Sequence, residues 1–236
     1  LSPDDPIYRI LGGSAAKRRQ VDAFLRALDS TLGDGRPERI VDLGCGNAYL
    51  TFAAHRYLET RGISAELIGV DIREDQRIRN EALAAELGWS AGIRFVTGTI
   101  RQAPVDSADV VLALHACDTA TDEALARAVE WRAEHILAAP CCHHDIATQL
   151  RQHASPLVGQ PILRERFADV LTDTLRGLIL RQHGYRVEVA EFIDSAHTPR
   201  NLMIRATRTG QPTGAEEYAT LLREWPVIPH LSTLLD

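Results

Sequence analysis

Val41-Asp42-Leu43-Gly44-Cys45-Gly46-Asn47-Ala48 is an apolar run that breaks into two glycines and restarts at helical spacing. The run extends back to Arg39 and reads as a strand, and Ala48–Thr60 reads as the helix that follows. Glycines let a backbone approach a ligand closely, and a helix start offers unpaired N–H groups, so strand, glycine turn and helix together describe a nucleotide-binding turn.

The same alternation continues in both directions. Upstream, Ser14–Leu32 places Val21, Phe24, Leu25, Leu28 and Leu32 on one helical face and stops at Gly33. Downstream come a strand over Glu66–Ile72, a helix over Arg73–Leu87 and a strand over Ile93–Ile100. Ala108–His115 predicts a fourth strand, Thr121–Arg132 a helix and Glu134–Ala139 a fifth strand. A long helix around Arg164–Gln182 stops at Gly184. Arg186–Ile193 and Leu202–Thr207 then read as a hairpin across the loop 194–201, and Glu216–Leu235 as a helix, a proline turn and a short apolar tail.

Strands alternating with helices imply right-handed crossovers and a parallel sheet. The fold class is α/β, a doubly wound, Rossmann-like sheet of seven strands, mainly parallel, with an antiparallel last strand. One domain spans 1–236, with an N-terminal cap over 1–36, a catalytic core over 37–208 and a helical tail over 209–236.

The composition is that of a soluble globular protein, 45% hydrophobic and 25% charged, with a formal net charge of -6. That charge argues against a broad basic face. No stretch approaches the roughly 18 apolar residues of a membrane helix, and the start lacks a signal-peptide layout, so a cytoplasmic location is expected. Four cysteines, at 45, 117, 141 and 142, lack a zinc-finger spacing and are expected as reduced thiols. Of 26 basic residues only Lys17 is a lysine; with the abundant alanine this reads as a GC-rich, bacterial genome. Leu1 at the start and Met203 as the sole methionine suggest a chain that begins inside a longer product or after processing.

Asp71 closes Gly69-Val70-Asp71-Ile72, where a carboxylate can accept two bonds from ribose hydroxyls. Gly44-x-Gly46-x-Ala48 lacks the third glycine of the dinucleotide fingerprint. Asp42 before the turn and Asp71 at the next strand end resemble the first two motifs of class I S-adenosylmethionine-dependent methyltransferases. The resemblance implies S-adenosylmethionine as cofactor. It implies contacts from Lys17, Gln20, Asp42, Gly44, Gly46, Asn47, Asp71, Ile72, Gly98, Thr99 and His115, with Gly98-Thr99 beside the adenine and the Lys17–Gln20 helix as a cap.

The donor methyl then lies over the first strand, and the ends of the fourth and fifth strands decide the chemistry. There stand Leu114-His115-Ala116-Cys117-Asp118-Thr119 and Pro140-Cys141-Cys142-His143-His144. These segments resemble a branch that includes the eukaryotic tRNA acceptor-stem 2′-O-methyltransferases, over roughly Lys17 to Thr207 on the scale of a domain. Asp118 departs from the branch, which has glycine there. The catalytic candidates are His115, Asp118, Cys141, His143, Arg200 and Asn201, with Arg200 to hold a substrate phosphate or carboxylate and Asn201 to order the loop.

Three chemistries separate by what they require. Oxygen methylation needs a base, which His115, His143 or His144 supplies. A Lys-Asp-Lys-Glu tetrad is excluded by the single lysine, and the Asp/Asn-Pro-Pro-aromatic loop of amine methylation is replaced by His115-Ala116-Cys117-Asp118. Attack of Cys117 or Cys141 on a pyrimidine is a lesser alternative, as is a non-catalytic cofactor-binding module. RNA is the favoured acceptor, and a small molecule of secondary metabolism the chief alternative. No metal is assigned: four consecutive residues, 141–144, cannot wrap one tetrahedral zinc, although two of them with Cys117 or His115 would. Arg176 reads as a solvated residue of the long helix.

Overall fold

A computed structural model describes residues 5, 7–10, 15–114, 116–192 and 201–236. Helices α1 (Ile7–Ile10), α2 (Ala15–Leu32), α3 (Tyr49–Thr60), α4 (Glu74–Glu86) and α5 (Thr119–Glu130) alternate with strands β1 (Arg39–Leu43), β2 (Glu66–Asp71), β3 (Ile93–Thr97), β4 (Val110–Ala113) and β5 (His135–Ala138). Then come α6 (His144–Gln149), a short turn of 3-10 helix (Leu150–Gln152), α7 (Pro156–Gly159) and α8 (Pro161–Gln182). Strands β6 (Tyr185–Glu191) and β7 (Leu202–Arg208) and helices α9 (Ala215–Glu224) and α10 (His230–Leu235) complete the order.

The seven strands form one sheet in the order β3-β2-β1-β4-β5-β7-β6. Strands β1 to β5 run parallel, and β7 is antiparallel to both β5 and β6. The doubly wound sheet with its antiparallel ending is therefore observed. β1, β4 and β5 are buried on both faces, which is why they read as unbroken apolar runs.

Successive β1 residues serve opposite layers. Ile40 belongs to the core under α2 and α3, and Val41 and Leu43 to the core under α5 and α8. A third, smaller core joins Ile146, Leu150 and Val158 to Ala168, Leu171 and Leu175 of α8. The sequence reading missed the short helices that build it, because the polar Cys141–His144 run and Pro156 interrupt any helical period. β3 stops at Thr97, three residues earlier than expected: the Gly98 amide makes the last ladder bond, to the Asp71 carbonyl at 3.1 Å, and β2 itself ends at Asp71.

α8 brings the clearest correction. Arg176 is only 2% exposed, not solvated, because acids on α5 and on its own helix surround it. Among the described residues no helix is long and apolar enough to cross a membrane.

Candidate active site

At the end of β1 the chain turns through three left-handed residues, Gly44 (φ 78°), Gly46 (φ 57°) and Ala48 (φ 56°). The amides of Gly44 and Cys45 both donate to the Val70 carbonyl at 2.9 Å, which ties the turn to β2. A side chain at Gly44 would meet Ala116 at 3.5 Å, so the glycine brings the loop after β4 against the turn.

Asp71 at the end of β2 faces the same turn. Its Oδ2 accepts from the Gly46 amide at 2.9 Å and its Oδ1 from the Arg73 amide and Nε at 3.0 Å. Burial disfavours this carboxylate, but the bonds from Arg73 and Gly46 outweigh burial and hold its pKa below the ordinary value. It is an ionised acceptor near neutral pH, suited to hydroxyl donors. On the other side Asn80 of α4, fully buried, donates to the Gly46 carbonyl at 2.9 Å.

A cavity of about 420 Å³ opens over these groups, within the range of small-molecule sites. Of the expected cofactor contacts, Gly44, Gly46, Asp71, Ile72, Gly98 and Thr99 line it, together with Arg73, Ile100, Cys117 and Glu123, which the cofactor reading had not included. Ile72 is 68% exposed at a strand end, an apolar surface for a flat ring. The cavity lies at the carboxyl ends of β1, β2 and β4, where the strand order reverses and open α/β sheets hold ligands.

Four predicted cofactor residues do not line the cavity. Asp42 lies beneath the turn, 1% exposed, with Oδ2 accepting from Thr51 Oγ1 at 2.5 Å and Oδ1 buried without a hydrogen bond. Burial pushes its carboxyl up to about 7 despite the Thr51 bond, and the charge of Asp71 adds to the rise. Lys17 rests over the Tyr49 ring at 4.7 Å and Gln20 bonds the Tyr49 hydroxyl, so both cap the first turn of α3. Asn47 is exposed, its side-chain oxygen 3.5 Å from the Tyr49 amide.

The loops after β4 and β5, expected to form the acceptor side, meet beside the cavity. Cys117 lines the cavity and its sulfur lies 3.0 Å from that of Cys141, which in turn lies 3.8 Å from that of Cys142. None of the four cysteines is in a disulfide. Burial and the two adjacent thiols push the Cys141 thiol up, so by itself it is a neutral thiol and a poor nucleophile.

Asp118, next to Cys117, does not face the cavity. Its φ of 53° with ψ of -125° is a backbone state that favours glycine. Its Oδ1 accepts from the Asp145 amide at 3.2 Å and its carbonyl accepts from Arg176 Nη2 at 2.8 Å. Arg176 also donates to both oxygens of Asp122 at 2.9 and 2.7 Å and to Asp173 at 3.1 Å.

His143 sits at the far end of this network, 3% exposed. Its Nδ1 lies 2.9 Å from Asp169 and its Nε2 3.0 Å from Asp173. Burial lowers the pKa of the ring, but the two carboxylates outweigh it and the net shift is upward. A ring buried between two acids and off the cavity wall is not placed to deprotonate an acceptor, which corrects its candidacy as base. His144 points outward, 3.9 Å from Glu165.

Asn201 Nδ2 donates to Glu191 across the foot of the β6–β7 hairpin at 2.7 Å. His115 and Arg200 lie outside the described residues. The sequence carried one signal for the missed network: Asp169, Asp173 and Arg176 fall at spacings of four and three, on a single face of α8.

A family model described as a methyltransferase domain matches residues 16–149, more than half of the chain. The chain belongs to this methyltransferase-domain family. No curated protein sequence matches it. Among solved structures, the SAH-bound methyltransferase PaMTH1 of Podospora anserina is similar, with a TM-score of 0.54 at 13% identity over 83% of this chain and 80% of that one. A bacterial methyltransferase domain, CtHen1-C, gives 0.52 at 12% identity over 80% and 99%. A geranyl diphosphate methyltransferase solved with GPP and sinefungin gives 0.53 at 14% identity over 82% and 79%. At these identities the likeness is one of fold.

S-adenosylmethionine is the methyl donor that the methyltransferase takes, and the residues present fit it. Asp71, an ionised carboxylate on the cavity wall, would accept from ribose hydroxyls, and Ile72 and Ile100 would offer apolar surface to the base. When bound, the donor supplies a positively charged sulfonium whose methyl is open to in-line attack. The residues at the ends of β1 and β2 would hold it.

Proposed function

We propose that this methyltransferase transfers the methyl group to an oxygen nucleophile of an RNA. One oxygen–carbon bond forms as the carbon–sulfur bond breaks with its electron pair going to sulfur, and the hydroxyl proton leaves to a base on the acceptor side. His115 is the residue we assign to take that proton; its neighbour Ala116 lines the cavity. Orientation of the acceptor against the methyl is the larger part of the work.

The observation that carries this reading is the position of Cys117 on the cavity wall. Ala116 and Cys117 belong to the segment that resembles the tRNA 2′-O-methyltransferase branch, and both line the cavity, which supports this reading. The absent lysine tetrad and the absent amine-type loop support oxygen over other acceptors. A small-molecule acceptor is the second reading, favoured by the net charge of -6, which does not attract a polyanion.

Incubation with methyl-labelled S-adenosylmethionine and either total RNA or a low-molecular-weight metabolite pool separates the two. Label in RNA, as alkali-stable 2′-O-methyl nucleotides and abolished in His115→Ala, is expected. Label confined to the metabolite pool would replace RNA by the second reading.

A further inference from the structure

The fold gathers three cysteines from two adjacent strand ends, and the acid–base chemistry of the site leaves them unused. The sulfurs of Cys117, Cys141 and Cys142 all lie within 4.8 Å of one another. We propose that these three thiolates bind one Zn²⁺ ion at the acceptor edge of the methyl-donor cavity, leaving its fourth coordination position open.

The spacing suits the ion. With zinc–sulfur bonds of about 2.3 Å, tetrahedral ligands lie roughly 3.8 Å apart. Cys141 and Cys142 already stand at 3.8 Å, and Cys117, at 3.0 Å from Cys141 and exposed, needs only a small side-chain rotation to open the pair. The donor set is all sulfur, which selects a soft ion such as zinc over magnesium or calcium. Adjacent residues alone could not enclose a tetrahedral ion. Cys117, reaching in from the neighbouring strand end, supplies the third direction.

The surroundings hold the sulfurs in place. Asp118, next to Cys117, is fastened through its carbonyl to Arg176 and through its carboxylate to the start of α6. His143, next to Cys142, is clamped between Asp169 and Asp173. Arg176 and His143 share Asp173, so one buried network fixes both loops. Metal sites depend on this kind of support behind their ligands. A dithiol switch would use two sulfurs and leave the convergence of Cys142 unexplained.

Three protein ligands with one vacant position is the pattern of zinc sites that act on a ligand rather than brace a fold. Binding releases the thiol protons to solvent as the thiolates form. Since Cys117 lines the cavity, the vacant position is available to a water or to the acceptor. If the acceptor is a hydroxyl, the ion would ease its deprotonation; that consequence rests on the oxygen-acceptor reading, whereas the metal assignment does not.

The test uses the full chain, reduced and stripped of metal, titrated with Co²⁺ and then with Zn²⁺. We expect one Co²⁺ per chain with sulfur-to-cobalt charge-transfer absorption in the near ultraviolet, displaced by one equivalent of Zn²⁺. Bound zinc should protect three thiols from alkylation. C117S and C142S should each weaken binding at least about ten-fold, the scale on which even supporting residues act. Both lie at partly exposed positions, and their circular dichroism shows whether they fold. Absence of charge-transfer absorption, or affinity unchanged in both variants, would overturn the site. So would formation of a Cys117–Cys141 disulfide under mild oxidation in a chain that takes up no metal.

Discussion

Asp42 shows how far a single residue can depart from its sequence reading while staying within its site. It was read as a cofactor contact, and it lies under the glycine turn with one oxygen bonded to Thr51 and the other buried and unbonded. Its carboxyl is raised to about 7 chiefly by burial. The folded chain therefore binds this proton more tightly than the unfolded chain does. Stability from this group is full below the ordinary carboxylate range and falls as pH rises toward 7, at roughly 1.4 kcal/mol per pH unit. Asp42→Asn, which stays neutral, should flatten that slope in denaturant titrations between about pH 4 and 7; an unchanged slope would mean that Asp42 is ionised in the fold at little cost. Arg176 departs further, and its replacement by alanine should cost about 3–5 kcal/mol because Asp122 and Asp173 are left buried and charged. A loss under about 1 kcal/mol in urea melts would contradict the buried network. Sequence alone could not show this, because the Asp122 partner is 54 positions away and hydropathy registers only a charge on a helix.

Among the elements, the strands were legible and the loops between them were not. β1, β4 and β5 announce themselves as apolar runs because both of their faces are covered. The antiparallel β6–β7 pair was legible from two late strands with a short connection. β3 was overextended through Gly98-Thr99-Ile100, where β2 has already ended at Asp71 and offers no further partner. The loop after β4 strains one residue: Asp118 has a φ of 53°, a backbone state that glycine adopts more easily. Asp118→Gly should therefore be more stable than Asp118→Ala by about 1–2 kcal/mol, since both lose the bond to Asp145 and only alanine keeps the strained backbone. Equal melting temperatures for the two variants would place the strain elsewhere. His143 was read from its neighbours in sequence; the two acids of α8 that engage its ring come together with it only in the folded core.

For the molecule as a whole, the proposed donor and acceptor sides occupy different strand ends of one sheet. β1 and β2 present the glycine turn and Asp71, and β4 and β5 present the loops with the three sulfurs. The buried chain from Asp122 through Arg176 and Asp173 to His143 joins α5, α8 and the loop after β5, so the acceptor wall is a fixed part of the fold. This division explains why the cofactor was readable and the acceptor was not. A donor pocket is written in consecutive residues along two strands, whereas the acceptor wall comes from segments brought together by a network spread over the second half of the chain. The central claim, that the glycine turn and Asp71 hold the methyl donor, is tested most directly by calorimetric titration of the wild-type chain and Asp71→Ala with S-adenosylhomocysteine. Saturable binding at one site per chain, weakened at least about ten-fold in Asp71→Ala by loss of charge-assisted hydrogen bonds, is the predicted result. Equal affinity in the two proteins would contradict it.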